Sequence, residues 1–383
     1  KGGTLYNTYN MPCRFFEILG QSQNRDILAK MTDRGLKFYN IINTILNDHD
    51  IVNKIISNGI FTIDDLKYVY HIFSLSGLDR KHNKKELELL QKSFLEPMNN
   101  KSSKSKYKNF RGTIKWILKN SQSESMSASD LILNNYKNLA LNKISNPKTV
   151  EIAWMKYELH RRVHFALELL MQAFTQTLQS IDGGNINDVL VEWQNDNKLS
   201  TELSELLNTE YVDYRKSLKF IFDQISKEYF LQNNLKPNKI NSQSPSNASI
   251  FSLVLLSVCY LQLDQDKNSN PNHNGKILRE AFNIIGSKEE SVYDIMNRLL
   301  DKCVISPHLQ TTWRKMSEDQ KCSLRFYNEG DVLKPTGIQT GSGYSGTRLN
   351  NVMVMLSDIN FLEKNNSGKY YTTEKGLNIK NHL

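Results

Sequence analysis

The sequence predicts a mainly α protein, a multi-helix body with a small C-terminal α+β module, and three observations carry that reading. Apolar residues return every three or four positions through most of the 383 residues, the spacing of one helix face. The longest such stretch, TVEIAWMKYELHRRVHFALELLMQAFTQTLQSID from Thr149, runs until Gly183 and Gly184 stop it. After about residue 310 the pattern changes, and SLRFYNEGDVLK reads as strand, turn, strand around EGD. At roughly 150 residues per domain the chain has room for two to three. The expected parts are an N-terminal helical region (1–120), a central helical domain (121–310) and the α+β module (311–383).

In order along the chain, RDILAKMTDRGLKFYNIINTIL and TIDDLKYVYHIFSLSG both repeat with helical spacing. Thr62 with Asp65 three residues later fits an N-terminal capping pattern. KKELELLQKSFL is a further short helix, and the basic run from Lys101 to Lys119 leads into another. SQSESMSASD is a polar loop that ends at a helix start. Loops rich in Asn, Ser and Pro are expected near 233–249 and 265–276, because such compositions bury too little apolar surface to fold alone. Between them a helix from Ser249, SIFSLVLLSVCYLQL, looks buried. SVYDIMNRLLDKCV is the last helix of the body.

Composition limits the function classes. With 39% hydrophobic and 23% charged residues the chain lies in the globular range. The net charge of +9 favours contact with nucleic acid or an anionic surface, with a lysine-rich, AT-biased proteome as the bland alternative. Cys13, Cys259, Cys303 and Cys322 include no C-x-x-C pair, so neither a zinc ribbon nor a thioredoxin-type motif is available, and Cys259 reads as a small core residue. The run from Ser249 is shorter than the roughly 18 residues of a spanning helix. With no signal peptide in sight, the protein is expected to be cytoplasmic and free of the membrane. The chain opens on Lys1, so an N-terminal piece is expected to be missing.

Candidate binding residues come first from the basic run. Lys104, Lys106, Lys108, Arg111 and Lys115 lie in a stretch without an acid, interleaved with Tyr107, Phe110 and Trp116. Lysines neutralise phosphates and aromatics stack on unpaired bases. The competing expectation is a solvated segment entering a helix whose Trp116 and Ile117 pack inward.

GSGYSG, Gly341–Gly346, has the G-x-G-x-x-G form of a dinucleotide fingerprint, with Glu363 some way beyond. Its lead-in KPTGIQT holds Pro335 and Gly337 and makes a poor buried strand, and no room for a doubly wound sheet follows. The expectation is therefore a flexible loop before a helix capped by Ser345 or Thr347, with no cofactor. In that helix Leu349, Val352, Met353, Leu356 and Ile359 share a stripe, and FLEKNNSGKYYTTEKG follows as a hairpin around Asn365–Gly368, after which Thr373–Gly376 turns away.

A helix followed by a β-hairpin wing resembles the end of a winged helix-turn-helix domain, over about the last forty residues. That resemblance implies nucleic-acid contact through Arg348 and Asn351 of the helix and Lys369 of the wing, or else protein contact. It departs from the family in one respect: loop and strand stand where the second helix of the helix-turn-helix should be. As a whole the chain is loosely similar to the large helical accessory proteins encoded in bacterial defence operons, whose partners supply the ATPase or nuclease.

Other constellations argue against catalysis. His160, His164 and Glu168 stand four apart on one helix, but Arg161 occupies the position of the general-base glutamate in H-E-x-x-H. Both histidines fall within an arc of Tyr157, Val163, Leu167, Leu170, Met171 and Phe174, which predicts two core histidines and no metal. DRKHNKKELELL lacks the acids and the glycine of a calcium loop. Neither a P-loop nor a G-x-S-x-G elbow occurs. The leading expectation is a non-catalytic, nucleic-acid-associated subunit of a multiprotein system, then a protein-assembly scaffold, and last a metal-dependent nuclease built from scattered carboxylates.

Overall fold

The structure is a computed structural model. It describes residues 12–20, 30–46, 50–57, 59–65, 67, 70, 84–98, 101–141, 146–225, 239–240, 242–263, 275–317, 323–338 and 340–383, without the side chains of 45, 52, 55, 56 and 101–106. The chain is mostly helical, with three two-stranded antiparallel pairings among the described residues. It forms two compact units, residues 1–131 with 347–383, and residues 132–346. The sequence places boundaries at 120/121 and 310/311, whereas the contacts divide the chain at 131/132 and 346/347, so one unit is assembled from both ends of the chain.

The unit of residues 132–346 is built on two helices. The 32-residue helix Thr149–Ser180 is about 48 Å long at 1.5 Å per residue, and it packs along the helix Pro245–Leu263. Pro245–Leu263 is apolar on every side, which suits a helix surrounded by protein. By length and composition it could cross a membrane, but 83% of its apolar window is buried in the chain's own core. It begins at Pro245, not Ser249, because Pro is tolerated in a first helical turn and Ser249 donates back to the Ser246 carbonyl at 2.7 Å. The last residues of the 233–249 stretch are thus helix, while 226–238 and 264–274 lie outside the described residues. Shorter helices at Ile186–Asn195, Thr201–Leu207, Lys219–Gln224, Lys276–Ile285 and Val292–Leu299 complete this core. A π-helical segment, Leu300–Ile305, then leads into Ser306–Ser317. The strand pair around EGD is present as Phe326–Glu329 against Val332–Pro335, with Gly330 and Asp331 as the turn. It packs on this unit: Phe326 meets Phe174 edge-on at 5.5 Å, and Leu333 bridges Gly184.

The glycine loop is hydrogen-bonded to the body of its unit. From Ser342 to Ser345 it lies along the helix Thr149–Ser180, running towards that helix's N-terminus. Gln172 Oε1 accepts from Ser342 N and Oγ, both at 2.8 Å, and Glu168 Oε2 accepts from Gly343 N at 3.0 Å. Tyr344 donates its hydroxyl to Glu158, and Arg161 donates to the Ser345 carbonyl. A side chain at Gly343 would point into open space and leave its N–H bond intact. Gly343→Ala is therefore expected to change stability by less than about 0.5 kcal/mol. It should leave dinucleotide titrations as they are in the parent; saturable binding lost in the variant would refute that.

The histidine expectation needs correction. His164 is exposed and its ring faces Glu168 at 3.3 Å, while His160 is only half-buried. The helix is buried around most of its circumference, including the side that carries Glu158, Arg162, Phe165 and Leu169. The open stripe left over is the one that holds Tyr157, His160, His164 and Glu168. Of the arc taken for core, Val163, Leu167, Leu170 and Phe174 are indeed buried, but the two histidines stand on its open edge.

The other unit joins distant segments. Thr62 and Asp65 cap each other as their spacing predicts, at 3.1 Å and 2.8 Å, and Lys54 pairs with the same carboxylate. Of the two N-terminal helices read from the sequence, the first is present as Asp33–Leu46, and 71–83 lies outside the described residues. Buried Arg34 donates to the Phe16 and Glu96 carbonyls and to the Tyr107 hydroxyl at 2.7–2.9 Å. The helix Lys101–Asn120 packs against a C-terminal helix, Glu374–His382. The sequence suggests only a turn at Thr373–Gly376, but Thr373 Oγ1 accepts from Gly376 N at 3.0 Å, an N-cap that starts a helix. Gly376 is required by packing, since any Cβ there would collide with the Phe361 carbonyl oxygen.

Candidate nucleic-acid interface

The helix Leu349–Asp358 owes its orientation to Leu349, Met353 and Leu356, all fully buried, and to Ile359 just beyond its end. Its start is fixed by Thr347, whose Oγ1 accepts from Leu349 N at 3.1 Å. Its end is fixed by Asn360, which takes a left-handed φ of 63°, and by Gln91, which donates to the Ile359 carbonyl at 2.8 Å. With that stripe inside, Asn350, Asn351 and Val354 are left exposed, and Arg348 is exposed at the N-cap.

The hairpin follows directly. Leu362, Glu363 and Lys364 pair with Thr372, Tyr371 and Tyr370. Its turn is organised by Asn365, whose Oδ1 accepts from Ser367 N at 3.1 Å and Lys369 N at 2.9 Å, while Gly368 supplies a φ of 78°. A third strand position comes from far away in sequence. Met126 bridges Tyr370, with N–H to carbonyl bonds of 2.9 Å in both directions. Thr372 is tied to the end of the helix Lys101–Asn120, its N donating to the Ser121 carbonyl and its Oγ1 to the Leu118 carbonyl.

On that helix the aromatics point inward. Tyr107, Ile114, Ile117 and Leu118 are buried, Trp116 is 6% exposed, and Phe110 packs among Phe15, Phe16 and Phe94. Tyr107 donates to the Ser93 carbonyl at 2.8 Å, so its polar tip is committed as well. Lys108, Lys115 and Lys119 are exposed on the opposite side.

The eight residues singled out from the sequence are thus spread over three elements. Lys108 and Lys115 share an exposed stripe. Arg111 beside them is partly buried, its Nη2 donating to the His382 carbonyl at 3.4 Å. The side chains of Lys104 and Lys106 lie outside the described residues. Arg348 and Asn351 stand at the start of the helix Leu349–Asp358. Lys369 faces Asp130 at 3.7 Å, which partly neutralises it. Lys119, Asn350 and Lys364 lie on the same three elements. Lys119 closes the basic run, Asn350 neighbours Asn351 on the open arc, and Lys364, two positions beyond the inward Leu362, lies beside the NNSG turn with its ammonium 5.8 Å from the Tyr370 ring.

Charge is divided unevenly between the two units. Residues 1–131 with 347–383 hold 25 Lys and Arg against 16 Asp and Glu, a surplus of nine, whereas residues 132–346 hold 24 of each. The whole +9 of the chain therefore belongs to the unit with the helix and hairpin.

The neutral unit has a different polar feature, the buried pair Glu158 and Arg162. Glu158 accepts from Arg162 Nε at 3.0 Å, Arg161 Nη1 at 2.6 Å and Tyr344, while the Arg162 guanidinium lies 4.6 Å over the Tyr136 ring. Burial pulls the Arg162 pKa down, but Tyr136, Tyr344 and Glu158 outweigh it and hold the guanidinium charged. Burial also pushes the Cys259 thiol up to about 12, so it is an inert core group, as its apolar helix suggests. A polar cleft of about 800 Å³ opens beside Asn208, Tyr211 and Lys216, where Arg215 is held by Asp213 at 3.1 Å. Among the described residues no three His, Cys, Asp or Glu side chains stand close enough together to hold a metal ion. Compared with known proteins, the chain matches no family model, no curated protein and no solved structure.

Proposed function

We propose that this chain is a non-catalytic, nucleic-acid-associated subunit whose charged unit is a winged helix-turn-helix interrupted by residues 132–346. The observation that carries the reading is the charge division: the entire surplus of nine sits on the unit that holds the helix and hairpin. The topology supports it. The two ends of the chain meet in this unit, where Met126 makes a single antiparallel bridge to Tyr370 of the wing. Phosphate contacts then fall to Lys108, Lys115 and Lys119, with Lys104, Lys106 and Arg111 on the same helix and Arg348, Lys364 and Lys369 on the other elements. The neutral unit is assigned to partner proteins of a multisubunit complex, and Trp313, 60% exposed on the helix Ser306–Ser317, is an apolar anchor of the kind such contacts use. On the alternative reading, a scaffold with no nucleic-acid contact, that partner surface is the whole function.

The test is the salt dependence of duplex binding. Replacing Lys108, Lys115 and Lys119 with glutamine should weaken binding and flatten the slope of log K against log salt by about 0.9 per lost contact. Because all three are exposed, the melting temperature should hardly move. An unchanged slope, or no salt-dependent retention in the parent, would favour the scaffold.

A further inference from the structure

We infer that the open arc of the helix Leu349–Asp358 reads A·T base pairs in the major groove of duplex DNA, through the amides of Asn350 and Asn351 and the methyl groups of Val354. The inference rests on the nucleic-acid reading above and adds a base preference to it. At 100° per residue, Leu349, Met353 and Leu356 define the buried side, and the opposite arc holds Asn350, Asn351, Val354, Ser357 and Asp358. The first three are exposed and lie in the first two turns, the part of a recognition helix that reaches base edges.

The chemistry of that arc is selective. An asparagine amide donates to adenine N7 while accepting from adenine N6, and an aliphatic side chain fits the thymine methyl. Guanine offers two acceptors, N7 and O6, and is met by a guanidinium or ammonium group. From Leu349 to Asp358 the sequence LNNVMVMLSD contains neither. Arg348 precedes the helix and is turned roughly 100° away from the middle of the arc. The division of labour is then clear: lysines elsewhere on the unit hold phosphates and set affinity, and this arc sets sequence. A protein partner fits the arc less well. Val354 is its exposed large apolar side chain, flanked by amides, whereas the centre of a protein interface is apolar and aromatic.

The experiment uses the full chain and short duplexes of equal length, one alternating A·T and one alternating G·C, at low salt. The A·T duplex should bind more tightly by on the order of ten- to a hundred-fold. Replacing adenine with 7-deazaadenine, which lacks the N7 acceptor, or thymine with deoxyuridine, which lacks the methyl, should remove much of that preference. The double variant Asn350→Ala, Asn351→Ala should bind both duplexes alike while keeping its salt dependence and its melting temperature. Equal affinity of the parent for the two duplexes overturns the base preference and leaves the nucleic-acid reading standing. So does a preference that survives 7-deazaadenine, since it would come from the minor groove or from duplex shape. Absence of salt-dependent binding to either duplex overturns both.

Discussion

Glu158→Ala is expected to destabilise the unit of residues 132–346 by about 3–5 kcal/mol, the usual cost of leaving a buried charge without its partner. Arg162 is 2% exposed, so water cannot replace the lost carboxylate, and its Nη1 already lacks a hydrogen-bond partner. The same change releases Tyr344, which ties the Ser342–Ser345 segment to the helix. In urea the midpoint should fall with little change in slope. Replacing both partners, Glu158→Leu with Arg162→Met, should recover most of the loss, because a buried ion pair is worth little against apolar side chains of similar size. A single variant within about 1 kcal/mol of the parent would show that the pair is hydrated or dispensable.

Trp116→Ala should cost about 3–5 kcal/mol of stability in the other unit, as expected when a buried tryptophan leaves a cavity. The alternative role, stacking on an unpaired base, would instead remove about 1–3 kcal/mol of single-strand binding and spare the fold. Burial of Trp116 and Tyr107 selects the first outcome. Thermal melting and binding of a single-stranded oligonucleotide, measured below the melting transition, distinguish the two. Unchanged melting with weakened single-strand binding would place Trp116 on the surface.

The helical body was legible from periodicity wherever a helix was long or had one apolar side, as in Asp33–Leu46, Lys84–Leu95 and Thr149–Ser180. The hairpin turns were legible from Gly330 and from Asn365–Gly368, where the backbone needs residues that accept a left-handed φ. Short helices such as Thr201–Leu207 and Lys219–Gln224 were not, since six or seven residues carry too little periodic signal. Periodicity also misassigned His160 and His164. On a helix buried almost all round, a residue that falls within an apolar arc can still stand on the narrow open stripe. The Met126–Tyr370 bridge lay beyond reach for another reason: a single pairing across so long a separation leaves no local mark in either segment.

That pairing has a consequence for synthesis. Met126 leaves the ribosome 244 residues before Tyr370, and Gln91 waits 268 for Ile359. At about 5–20 residues per second, the gap before Tyr370 lasts roughly 12–50 s. For that time the helix Lys101–Asn120 lacks the C-terminal helix that packs against it, while residues 132–346 can already collapse as a unit. The nascent chain therefore presents a basic helix with an open apolar side, a target for chaperones and a route to aggregation. A chain stopped just after residue 346 should yield a folded central unit attached to an unfolded, sticky arm.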